Sequence, residues 1–184
     1  NVQIEIDSVM YRGQEMAAVI RNFAMDERSG LSISSMSGRL YADSTMLRVP
    51  AFNLRTSGSE INFNAQTYWE PQTSFEIDRL EARLDARLGK QDVLLRAGDM
   101  PASFLRDYPS RPFVVQIAAA GTRNDLQISR LSAELPGALS LTGSGHVLNI
   151  TDSINRSADI KMQLQTQRLD FLLSLAGITR DGSI

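Results

Sequence analysis

The chain has 184 residues, 42% of them apolar and 22% charged, with a formal net charge of −2 and a pI near 5.5. That is enough sequence for one folded domain, too apolar for a disordered one, and without the basic excess that draws nucleic acid. Cysteine is absent, which excludes disulfides, thiolate metal sites and a cysteine nucleophile. No apolar run approaches the roughly 20 residues needed to cross a bilayer as a helix.

Alternation begins at once. Val2, Ile4 and Ile6 interleave with Gln3, Glu5 and Asp7, and a strand sends successive side chains to opposite faces. The same spacing predicts strands over 2–7, 16–25, 31–36, 38–42, 46–54, 60–68, 73–80, 82–88, 92–97, 113–120, 126–135, 138–150 and 158–166. Arg79–Leu88 fits both periods, since Leu80, Leu84 and Leu88 also suit a helix. Alternating segments on both sides favour strand there. Turn residues mark the joints: Arg28-Ser29-Gly30, Ala42-Asp43-Ser44-Thr45, Thr56-Ser57-Gly58-Ser59 and Gly121-Thr122-Arg123-Asn124-Asp125. No strand–helix alternation appears, so the expected fold is mainly β: an elongated, curled antiparallel sheet with an apolar concave face.

One or two short helices are expected beside it. Pro101 and Pro109 bracket a stretch near 100–107. Leu169, Leu172, Leu173 and Ala176 follow helical spacing up to Gly177. A loose internal repeat links Leu31-Ser32-Ile33-Ser34-Ser35-Met36-Ser37 with Leu126-Gln127-Ile128-Ser129-Arg130-Leu131-Ser132. It suggests quasi-repeats over 1–95 and 96–184 within a single β-rich segment, 1–184. The abrupt start and stop inside patterned sequence read as a segment excised from a longer, repeat-built protein.

Chemistry-bearing residues are scattered. His146, the single histidine, has no partner set at metal or nucleophile spacing and reads as a strand histidine. Gly143-Ser144-Gly145 lacks the rest of a phosphate loop and reads as a turn or bulge. Glu76, Asp78, Glu81 and Asp85 are interleaved with Arg79, Arg83 and Arg87, the signature of a solvated charged face rather than an acid–base pair. No catalytic residue, metal set or cofactor is expected. What remains is a surface: Ile4, Ile6, Ile61, Phe63, Val115, Ile117, Ile128, Leu139, Leu141, Ile160, Met162 and Leu164 are expected to face one shared apolar interior.

Several stretches resemble the bacterial TamB (translocation and assembly module) family of the AsmA-like group, in its Bacteroidota form. They are Val9-Met10-Tyr11-Arg12-Gly13, Leu31 to Leu40, Leu47 to Thr56, Leu88 to Leu95 and Gly121 to Leu131. The resemblance implies the periplasmic portion of an inner-membrane-anchored protein whose taco-like sheet carries phospholipid in outer membrane biogenesis. Its implied partners are phospholipid acyl chains and, through the parent protein, an outer-membrane barrel insertase. It brings no catalytic residue. Under it, the twelve apolar residues line a lipid groove. The rival expectations are a structural or adhesion β-sandwich with a closed core, and a hydrolytic β enzyme.

Overall fold

A computed structural model describes residues 1–26, 32–69, 77–96 and 102–167. Ten strands form one sheet in strict chain order: β1 (Val2–Arg12), β2 (Glu15–Asp26), β3 (Ser32–Ala42), β4 (Met46–Thr56), β5 (Glu60–Trp69), β6 (Ile77–Leu88), β7 (Phe113–Thr122), β8 (Asp125–Leu135), β9 (Leu139–Leu148) and β10 (Ser157–Thr166). Every neighbouring pair is antiparallel, and the sheet is not closed: β1 and β10 are its two edges. The described residues therefore form a single open meander rather than the two packed layers of a sandwich.

Five strands carry a mid-strand irregularity that the two-residue rhythm hides. Pro50 and Ala51 stand against the single residue Asn64, and Ser129 and Arg130 against Ser144. Further register shifts fall at Asp7, at Arg21–Asn22 and at Ser34. A bulge places two residues opposite one, so the apolar side chains on either side of it lie three apart yet share a face. The pairs are Ile6 and Val9, Ile20 and Phe23, Ile33 and Met36, Val49 and Phe52, Ile128 and Leu131. Local partners settle the bulges. Ser129 Oγ donates to the Ala118 carbonyl at 3.2 Å, and Ser34 Oγ to the Arg55 carbonyl at 3.1 Å. The Arg21 guanidinium sits 2.5 Å from Asp7 Oδ1 and 3.8 Å from Glu5.

These bulges account for most differences from the sequence reading. The first strand runs on to Arg12, because the shift at Asp7 merely breaks its rhythm. The strands expected over 31–36 and 38–42 are one, β3, with Gly38 mid-strand beneath the Phe52 ring. Those expected over 73–80 and 82–88 contribute to one strand, β6, and Arg79–Leu88 is strand throughout.

The strand expected over 92–97 is instead a helix, α1 (Lys90–Arg96), followed by α2 (Ala102–Asp107) near the expected place. Asp92 occupies the first turn of α1, where a carboxylate suits the helix dipole. Packing decides the rest. Val93 and Leu94 lie against a cluster of Phe104, Tyr108, Leu135 and Ala138, together with Leu105, Phe113 and Leu139. Phe104 and Tyr108 meet edge to face at 5.7 Å, and Lys90 Nζ donates to the Tyr108 carbonyl at 2.6 Å. Both helices lie in the β6–β7 connection and cover one end of the sheet. The helix expected near 169–176 falls outside the described residues.

Candidate functional site

Register turns the list of strands into a surface, because directly paired residues point to the same side. One lateral row reads Ile4, Phe23, Met36, Leu54, Ile61, Ala86, Val115, Ala133, Leu141, Leu164, with one residue from each strand. The next reads Ile6, Ile20, Gly38, Phe52, Phe63, Leu84, Ile117, Leu131, Gly143, Met162. Neither row contains a polar side chain. A third level adds Ala65, Ala82, Ala119, Ile128, Gly145 and Ile160, and Leu139 lies opposite Leu135 at the helix-covered end. All twelve residues singled out from the sequence thus lie on the same side of the sheet.

Their exposure varies along the sheet. Ile61, Phe63, Val115, Ile117, Ile128, Leu139, Leu141 and Ile160 are half-buried, while Ile4 is 58%, Ile6 55%, Met162 63% and Leu164 62% exposed. Among the described residues the buried apolar ones are Ala86, Phe104, Tyr108, Leu135 and Ala138, the last four in the cluster formed with the helices. The twelve residues thus share one apolar face, which among the described residues is covered at one end. Among the described residues no second layer lies against the rest of the face, and several of the most exposed apolar side chains belong to the edge strands.

The opposite side is polar across most of the sheet. Ser37, Asn53, Asn62, Asp85, Gln116, Ser132, Thr142 and Gln163 form an unbroken row over eight strands. Asn53 Nδ2 donates to Asn62 at 2.8 Å, Gln116 Nε2 to Asp85 at 3.0 Å, and the Arg130 guanidinium to Gln116 at 3.2 Å. The Arg55 guanidinium donates to Glu60 at 2.8 Å, and that bond together with its positive charge lowers the Glu60 pKa. Asp85 also accepts from Arg83 at 2.9 Å, so this carboxylate belongs to a cross-linked ladder. Glu76 lies outside the described residues. His146 Nδ1 lies 2.8 Å from Asp125 Oδ1 on this side, an exposed diagonal pair between β9 and β8.

One feature of the polar side escaped the sequence reading. An open hollow of about 570 Å³ surrounds the β8 bulge, lined among others by Gln116, Arg130, Ser132, Thr142, Lys161 and Gln163. Its signal in the sequence is the three-residue spacing of Ile128 and Leu131 in a strand otherwise of period two. Gly143-Ser144-Gly145 is neither turn nor bulge: it passes straight through β9, opposite the bulge in β8. Among the described residues, no helix is long and apolar enough to cross a membrane.

No family model matches the chain, and no curated protein or solved structure does either.

Proposed function

We propose that this chain is a non-enzymatic lipid-handling segment of the TamB type, whose apolar sheet face offers a groove to phospholipid acyl chains in outer membrane biogenesis. The observation that carries the reading is the pair of ten-residue apolar rows, which run from edge to edge without a polar interruption. Each methylene withdrawn from water gains about 0.8 kcal/mol, so a continuous hydrocarbon surface favours an acyl chain at every step without selecting its headgroup. Such a surface works through continuity, and it asks nothing of any single polar side chain. The concave curl, the periplasmic setting and the link to a barrel insertase belong to the same proposal, on the strength of the TamB resemblance.

The test places a photo-crosslinking residue at Phe63 or Ile117 on the apolar side, and at Asn62 or Gln116 on the polar side, in cells with labelled phospholipid. Lipid adducts are expected at the first two positions only. Phe63→Arg is expected to abolish the adduct at Ile117 while the far-UV circular dichroism stays that of a β-sheet, since Phe63 is half-buried rather than enclosed. Adducts spread evenly over both sides, or confined to Asn62 and Gln116, would overturn the reading.

A further inference from the structure

We propose that the hollow around the β8 bulge binds a phosphate group, held between Arg130 on β8 and Lys161 on β10. It lies on the polar side of the sheet, so the inference does not depend on what the apolar face carries. The hollow follows from the bulge. Ile128 and Leu131 both take the apolar side, which turns Ser129 and Arg130 together to the polar side, opposite the single residue Ser144. Ser144 pairs in turn with Lys161. One lateral level therefore reads Ala118, Ser129 with Arg130, Ser144, Lys161. Short side chains stand in its middle with a long cation to either side, which leaves a basin of about 570 Å³.

Donors and charge fit one kind of ligand. No carboxylate is among the described residues that line the hollow, while Ser132, Thr142 and Ser144 offer hydroxyls and Gln163 an amide. Two cations match a phosphomonoester, whose charge is roughly −1.5 to −2 near neutral pH, better than they match a carboxylate. A guanidinium presents its N–H donors in a planar fork that suits phosphate, and an ammonium adds a compact charge.

The neighbouring acids leave both cations in place for a ligand. Arg130 Nη1 donates to Gln116 Oε1 at 3.2 Å, Gln116 Nε2 to Asp85 at 3.0 Å, and Arg83 also donates to Asp85, at 2.9 Å. This chain of bonds holds the Arg130 guanidinium at the rim through one nitrogen and leaves its other N–H groups for an anion. Asp159 is on the same side two residues before Lys161, but it stands opposite His146 and outside the hollow. His146 in turn pairs with Asp125 at 2.8 Å. Among the described residues, Lys161 makes no hydrogen bond or ion pair.

The test follows the amide resonances of the full, isotopically labelled chain during titration with inorganic phosphate at constant ionic strength. Saturable shifts are expected around Arg130, Ser144 and Lys161, and none with acetate at the same concentration. Arg130→Gln and Lys161→Gln are each expected to weaken binding about tenfold with unchanged circular dichroism, since each removes a charge-assisted hydrogen bond. Arg39→Gln, on the same side of the sheet in β3, is expected to leave binding unaltered. Two further probes tell the sources of the phosphate apart. Tighter binding of glucose 6-phosphate than of inorganic phosphate would mark a soluble sugar phosphate, whose hydroxyls the hollow also engages. Cosedimentation with phosphatidic acid vesicles but not phosphatidylcholine vesicles, lost in the double variant, would mark a lipid headgroup. No saturable shift at Ser144 and Lys161, an equal response to acetate, or phosphate binding undiminished in both variants would overturn the proposal.

Discussion

Gly145 and Asp159 approach so closely across the β9–β10 pair that a Cβ on Gly145 would lie 2.1 Å from the Asp159 carbonyl oxygen and 2.7 Å from the Ile160 Cα. The obstacle is backbone, which cannot swing aside as a side-chain tip can. Paired with Ile128 beside the bulge in β8, this glycine lets the last strand hold its register. Gly145→Val is therefore expected to detach β10 while β1–β8 persist. Amide hydrogen exchange checks it: protection should fall over Ser157–Thr166 and remain over β4–β7.

The bulge itself makes a second prediction. Deleting Ser129 removes the extra residue that lets Ile128 and Leu131 share a face. A one-residue slip sends every side chain beyond it to the other side. Leu126 and Ile128 would then turn to the polar face. Losing most of the burial of two such side chains costs about 2–4 kcal/mol. Denaturant unfolding is expected to show that loss, whereas Ser129→Ala, which removes only the bond to Ala118, should cost about 1 kcal/mol or less.

A third prediction concerns acid. Asp43 closes the β3–β4 turn: its Oδ1 accepts from the Thr45 backbone N–H at 2.7 Å, the Thr45 hydroxyl at 2.8 Å and the Met46 N–H at 2.9 Å. The two bonds from Thr45, backbone first, hold its pKa below the ordinary aspartate value of 3.8. The folded turn thus binds a proton less readily than the unfolded chain. Its contribution to stability is complete above the ordinary value and is lost as pH falls through the lowered one. Melting of the wild type is expected to drop between pH 5 and acid more steeply than that of Asp43→Asn; identical pH profiles would contradict this.

The fourth prediction concerns the attachment of α1. Asp92 Oδ2 accepts the Thr56 hydroxyl at 2.5 Å and also the hydroxyl of Ser59, which is itself buried. Ser59 Oγ in turn accepts the Gly89 N–H at 2.9 Å. Gly89 and Gly58 touch so closely that a Cβ on Gly89 would sit 2.5 Å from the Gly58 carbonyl oxygen. This knot ties the β4–β5 hairpin to the start of the helix. Asp92→Ala is expected to cost about 1–3 kcal/mol, because it leaves polar groups unpaired in a half-buried place. In a double-mutant cycle with Ser59→Ala the two losses should be strongly non-additive; simple additivity would separate the two residues.

The alternation of Ile61, Phe63 and Ala65 against Asn62, Asn64 and Gln66 is legible because β5 carries no bulge of its own and its faces differ sharply. Ser8 to Arg12 was not legible, since the shift at Asp7 moves the apolar residues to a new phase. The apolar pairs spaced by three are the visible trace of such shifts, but only once the strands on both sides are known. Lys90–Arg96 misled for another reason. Its short apolar run suits either period, and the choice is made by Phe104, Tyr108 and Leu135, which are distant in sequence or sit across a loop. The side on which the twelve apolar residues lie was readable from parity alone. Their exposure was not, because nothing in the alternation says whether a second layer exists.

The strict chain order of the strands also bears on how the molecule comes into being. Each strand finds its partner in the one made just before it, and the β6–β7 connection through the two helices is the longest interval between partners among the described strands. Contacts between sequence neighbours close small loops, the kind that form early and quickly. A chain emerging from the ribosome can therefore lay down this sheet like courses of brick, each strand seated before the next arrives. Lengthening or shortening such a protein by whole hairpins preserves both its two-sided character and the direction of every later strand, whereas gain or loss of one strand reverses all that follow.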